Sequence, residues 1–198
     1  MLTSDKISSL VIDTLRDQAR GQNIAVLCLY CDYQARKDQS AVNIIGSLLG
    51  QVVQGAAEVQ REVRSAFSES KKRGGQGPQL PDMLQLFVKA ISSINRVYIC
   101  VDAVDELLPE GQFEFLGALR QILQDAPNTR LFLTTRSVRL GNYFTMVPLI
   151  IPIVVDQGDI ARYLRWKMDD DHDQDPALMT EDLKGDIMET MLEKASEM

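Results

Sequence analysis

Arg96-Val-Tyr-Ile-Cys-Val-Asp-Ala-Val-Asp-Glu106 is the stretch whose reading decides the fold. Val97 to Val101 form an apolar run of strand length, rich in β-branched and aromatic residues and without period-2 alternation. A strand covered on both faces of a parallel sheet reads this way. Three acids follow at its carboxyl end: Asp102, Asp105 and Glu106. In open α/β sheets ligands bind beyond the carboxyl ends of the strands, so these acids stand where chemistry is usually done.

The flanking segments support an α/β reading. Upstream, residues 3–20 carry a helical stripe of Ile7, Leu10, Val11 and Leu15, capped by Thr3 or Ser4 and ended by Gly21. Ile24 to Tyr30 reads as a buried strand. A helix is expected over 38–53, a more polar one through Val59, Val63 and Phe67, and a loop at Gly74–Pro78. Pro81 and Asp82 open a further helix running to about Ser93. Downstream, Pro109 opens a helix that buries Phe115, Leu116, Leu119, Ile122 and Leu123. Arg130 to Thr135 is the next strand, completing a βαβ unit with a right-handed crossover. Leu149 to Val155 reads as a fourth strand, placed at an edge because Pro152 cannot donate to a ladder. A helix over 157–168, with Ile160, Leu164, Trp166 and Met168 as its packed side, leads to an acidic loop at 169–175 and a last helix from Glu181. The alternation predicts a parallel, doubly wound sheet.

Composition narrows the function classes. The chain has 198 residues, 45% hydrophobic and 25% charged, which is ordinary globular usage and enough for a real core. A net charge of −7 disfavours a broad nucleic-acid-binding face. There is no apolar leader and no run long enough to span a membrane. Cys28, Cys31 and Cys100 all lie in apolar runs, an odd set that argues for a reducing, cytoplasmic setting. Cys28 and Cys31 have C-x-x-C spacing but point to opposite faces of an extended strand, so they cannot share a metal. The run Asp169–Asp175 fails as an EF-hand, because Gln174 falls at the Gly position and Thr180 at the Glu position.

Asp102-Ala-Val-Asp105-Glu106-Leu107 has the layout of a Walker B segment. It resembles that segment in NACHT-type STAND nucleotide-binding domains. More narrowly, it resembles the nephrocystin-3-like N-terminal domains of multidomain proteins abundant in filamentous fungi. Ser8-Ser-Leu-Val-Ile-Asp-Thr-Leu-Arg16 resembles the helix that follows the family's P-loop, and Leu27 to Gln34 its next strand. Leu131-Phe-Leu-Thr-Thr-Arg136 resembles the sensor strand. The resemblance implies Asp102 on the Mg²⁺ side through water, Asp105 and Glu106 as water-orienting acids, and Arg136 as the phosphate sensor. It implies Mg-ATP or Mg-GTP as cofactor of a complete domain, and a switch used in signalling or self/non-self recognition.

No Gly-Lys pair occurs in the chain, so G-x-x-x-x-G-K-[ST] is not among its residues. The expectation is therefore a P-loop NTPase-like sheet over 1–156 lacking its first strand and its P-loop. The beginning of a small helical subdomain follows over 157–198. Such a chain alone is expected not to bind or hydrolyse nucleotide efficiently, and to seek protein partners or self-associate through its incomplete sheet. Two other readings stay open. One is a non-catalytic scaffold of the same fold, in which the acids are relics; Arg136 separately has a purely structural reading as an ion-pair partner of Asp102 across neighbouring strands. The other is a Mg²⁺-dependent phosphoesterase built from Asp102, Asp105, Glu106 and Asp32.

Overall fold

A computed structural model of the chain describes residues 4–53, 78–136, 143–144, 149–153, 157–174 and 180–196. The helix expected through Val59–Phe67, most of the Gly74–Pro78 loop, the Thr3 cap and residues 154–155 lie outside them. The chain divides into two compact units, residues 2–148 and 149–198.

The first unit carries a three-stranded parallel sheet in the order β1 (Ile24–Tyr30), β2 (Arg96–Asp102), β3 (Thr129–Leu133). Tyr30 pairs with Asp102, and Val101 with Leu133, so the carboxyl ends of all three strands lie together. Among the described residues four helices accompany the sheet: α1 (Ser4–Ala19), α2 (Ala41–Val53), α3 (Leu80–Ile91) and α4 (Pro109–Asp125). Strand alternation sorts them. Leu27, Val97, Ile99 and Val101 join one apolar cluster with Ile45, Leu48, Leu49, Phe87, Phe115 and Ile122 of α2, α3 and α4. The alternate residues, including Cys28 and Asp102, point to the other face, where Arg16 and Ser8 of α1 meet them. Helices therefore lie on both faces.

Local chemistry explains most boundaries. Gly21 ends α1 with φ +73°, a left-handed conformation that glycine adopts without strain. Helix α2 starts at Ala41, later than the expected Asp38, because Ser40 is the cap: its Oγ accepts the Asn43 N–H at 3.3 Å. In α3 Pro81 sits in the first turn, and the Asp82 carboxylate accepts the Gln79 N–H at 3.4 Å. Strand β1 is buried only at Leu27, half-buried elsewhere and exposed at Tyr30; among the described strands only β2 neighbours it.

Three expectations fail. The stripe of α1 is turned: Ser8 and Ile12 are buried and Leu10 is exposed, because a buried acid on β2 draws a hydroxyl to that face. Leu149–Ile153 is not a strand, and Leu149 is 87% exposed. Pro152 withholds an N–H, which disfavours a ladder there.

The third concerns the second unit, which consists of α5 (Gln157–Gln174) and α6 (Glu181–Ser196). Here Ala161 and Met168 are buried, whereas Trp166 is 63% exposed beside Tyr163, not packed as the stripe suggested. Positions 161, 164 and 168 share a face at helical spacing, and 166 falls on the opposite one. The acids placed in a loop are helical as far as Gln174. Asp170 is neutralised by Lys167 at 3.3 Å, and Asp169 by Lys184 at 3.4 Å. Among the described residues no helix is long and apolar enough to cross a membrane.

Candidate functional site

Asp102 is the last residue of β2, and its side chain falls on the α1 face. It is 3% exposed, so its carboxylate must be hydrogen-bonded to be tolerated there. Ser8 Oγ of α1 and Thr134 Oγ1, just past β3, both donate to its Oδ1 at 2.5 Å. The Thr134 hydroxyl also accepts the Ala103 N–H at 2.8 Å, which aims its proton at the acid.

Ala103 has φ 53°, a left-handed conformation that costs a non-glycine residue about 1–2 kcal/mol. The bonds around it hold it there: Val104 N–H to Thr134 O at 3.1 Å and Thr134 N–H to Val101 O at 3.0 Å. This turn throws the chain into a single 3₁₀ turn, Val104–Glu106, which places the next two acids.

Asp105 takes Arg136 twice, the backbone N–H on Oδ1 at 3.2 Å and Nε on Oδ2 at 2.5 Å. Glu106 lies 3.8 Å from the same guanidinium. Its other oxygen accepts the Tyr33 N–H at 3.1 Å, tying in the loop after β1. The Cys31 N–H donates to Asp102 O at 3.1 Å. Burial, together with the charges of Asp102, Glu106 and Asp105, pushes the Cys31 thiol up to about 12, so it stays protonated and unreactive. All four acids and bases singled out from sequence thus stand at one end of the sheet.

Two sequence readings of these groups are corrected. Arg136 pairs with Asp105 and Glu106, not with Asp102, whose oxygen is taken by hydroxyls. Asp32 closes its own turn by accepting the Gln34 N–H at 2.8 Å. Among the described residues no three His, Cys, Asp or Glu side chains form a group able to hold a metal. Sequence reasoning missed Ser8 and Thr134 as partners of Asp102. The signal for Ser8 was its place on the helix: positions 8, 12, 15 and 19 share a face, and a lone hydroxyl there calls for a buried partner.

Burial alone would raise the Asp105 carboxyl, but the hydrogen bonds from Arg136 outweigh it and hold it below the usual range. Arg136 is 78% exposed, so its pairing is screened. Arg136→Ala is expected to lower stability only slightly at neutral pH. A depressed folded-state pKa stabilises above the unfolded value, about 3.9, and that contribution is lost as pH falls through the folded one. Urea unfolding of both proteins should therefore show curves separated at pH 7 and merging below about pH 4. A gap that persists in acid would contradict this assignment.

A family model described as nephrocystin 3, N-terminal, matches residues 6–136, from α1 through the Arg136 that closes the site. The chain belongs to the nephrocystin-3 N-terminal family. No curated protein and no solved structure matches it. The matched span takes in all three strands and every residue of the site, and it stops before the second unit.

Proposed function

We propose that this family member contributes the acid-bearing and sensor strands of a NACHT-type, doubly wound P-loop domain that switches with Mg-ATP or Mg-GTP. In that reading it works within a larger signalling or self/non-self recognition protein. The observation that carries it is the convergence of Asp102, Asp105, Glu106 and Arg136 at the carboxyl ends of β2 and β3, where a nucleotide's phosphate end sits in such sheets.

The residues fit the group only in part. Arg136, exposed and held by two acids, is suited to reading a phosphate, and Asp105 and Glu106 are suited to orienting water. The cradle is not among these residues, since no Gly-Lys pair occurs. A bound Mg-nucleotide would supply phosphate charge and a bound water. The chain's own part is to present Arg136 and to hold Asp102 rigidly between α1 and β3. Partners and nucleotide preference follow from the rest of such a domain.

The test is to place a strand and a G-x-x-x-x-G-K-[ST] loop ahead of Thr3 and titrate Mg·ATP and Mg·GTP by calorimetry. Binding should appear, and Arg136→Ala should weaken it about tenfold. A folded graft that binds neither nucleotide, or that binds equally with and without Arg136, would overturn the proposal.

A second reading, a scaffold without turnover, is favoured by a specific observation. Asp102 is closed in by two hydroxyls and Arg136 is clamped by Asp105, so each group already has a structural task. Under that reading the grafted domain folds but stays indifferent to nucleotide.

A further inference from the structure

The three cysteines are free thiols, and two of them meet on the α1 face of the sheet. Cys28 of β1 and Cys100 of β2 are register partners in the parallel pairing, and both fall on the face that carries Asp102. Register partners on neighbouring strands stand one strand spacing apart, about 4.8 Å. That lies inside the roughly 4.4–6.8 Å between Cα atoms that a disulfide spans. The backbone of Cys28 is fixed, since the Gln51 amide accepts its N–H at 2.9 Å and donates to its carbonyl at 2.8 Å. Cys31 stands outside the pair: it follows the end of β1, and its side chain joins the apolar cluster on the opposite face.

The two sulfurs have different surroundings. Cys100 is 1% exposed, and burial together with the neighbouring Cys28 pushes its thiol up to about 11 against an opposing pull from Arg16, so it stays protonated. Cys28 is half-buried, and Arg16 Nη2 donates to its Sγ at 3.3 Å. Such a bond strengthens when the sulfur becomes a thiolate, because a full negative charge then faces a cation. An oxidant the size of water therefore meets Cys28 first, with the protonated thiol of Cys100 directly beside it.

We propose that Cys28, held by Arg16, is a peroxide-oxidised thiol, and that Cys100 resolves it by closing a reversible disulfide between β1 and β2. In the first step the Cys28 thiolate attacks one oxygen of hydrogen peroxide. The O–O bond breaks, hydroxide takes up the proton that Cys28 gave away and leaves as water, and Cys28 holds a sulfenic acid. The Cys100 sulfur then attacks the Cys28 sulfur. An S–S bond forms, the S–O bond breaks, and the hydroxyl leaves with the Cys100 proton as a second water. Two thiols lose two electrons and the peroxide gains them. A dithiol reductant reverses the bond by exchange, becoming a disulfide itself. Oxidation exchanges the polar tie between α1 and β1 for a covalent one between β1 and β2. The inference is independent of nucleotide binding.

The test treats the folded 198-residue chain with hydrogen peroxide, blocks the remaining thiols with N-ethylmaleimide in urea and maps the peptides by mass spectrometry. Cys28 and Cys100 should be recovered joined within one chain, with Cys31 alkylated and dithiothreitol restoring both thiols. Cys100→Ala should leave Cys28 as a sulfenic acid that dimedone captures. Arg16→Met should slow the loss of the Cys28 thiol several-fold with far-UV circular dichroism unchanged, and Arg16→Lys should keep most of the rate. Thiols that all survive a large excess of peroxide, a bond joining Cys28 to Cys31, or a Cys28–Cys100 bond that forms only after unfolding would each overturn the proposal. Dimedone capture at Cys31 in place of Cys28, or oxidation indifferent to Arg16→Met, would do the same.

Discussion

Asp102→Ala is expected to lower stability by about 2–4 kcal/mol, although the substitution removes a charge from the interior. Two hydroxyl hydrogen bonds to a carboxylate are lost, each worth roughly 1.5–3 kcal/mol, and the Ser8 hydroxyl is left buried without an acceptor. Relief of carboxylate desolvation offsets part of that sum. For a chain of this size the midpoint of thermal unfolding should fall by roughly 5–15 °C. The loss should also be coupled. Ser8→Ala and Thr134→Val address the same oxygen, so in a double-mutant cycle each should cost less once Asp102 is gone. A shift of under about 1 °C for Asp102→Ala would remove the clip between α1, β2 and β3, and return the carboxylate to the pool of groups free to serve a ligand.

Gln51→Ala should have the second-largest effect, and a different character. The side-chain amide of Gln51 satisfies both backbone groups of Cys28 in a half-buried setting, and leaving them unpaired costs about 1–3 kcal/mol. Stability is only part of the outcome, because the substitution also opens the β1 edge. An uncovered strand edge is a template for pairing with another chain. Light scattering should therefore show more self-association than the unsubstituted chain at equal concentration, alongside a lower urea midpoint. A variant with unchanged midpoint and unchanged mass would mean that the amide is incidental to the edge. Both predictions concern polar groups satisfied by side chains from other parts of the fold: two hydroxyls for the Asp102 carboxylate, one amide for the Cys28 backbone.

Particular residues show how far the sequence could be read. The unalternating run Val97–Val101 placed β2 in the middle of a parallel sheet, since only a strand covered on both faces has no polar side. Gly21, Pro81 and Pro109 marked helix ends through their own backbone preferences. The acids and Arg136 were legible as a group because sheet topology puts strand ends together wherever strands run parallel. Their pairing was not legible. Which acid takes Arg136 depends on a left-handed turn at an alanine, a residue with no preference for that conformation, so nothing local announced it. Leu149–Ile153 shows the opposite failure: a convincing strand composition stays irregular, since composition alone makes no ladder and Pro152 withholds an N–H.

By itself, then, the sequence determined what local periodicity and backbone preference can encode: the alternation of helices and strands, the central place of β2, and the end of the sheet where charged groups gather. Tertiary structure decided which groups satisfy one another. Ser8 and Thr134 close on Asp102, Asp105 takes Arg136, and Gln39 and Gln51 occupy the outward backbone groups of β1 and the loop after it. The physical reason is that a hydrogen bond between residues far apart in the chain leaves no periodic trace. Its geometry exists only once the elements have packed, and its worth is set by the burial that packing creates.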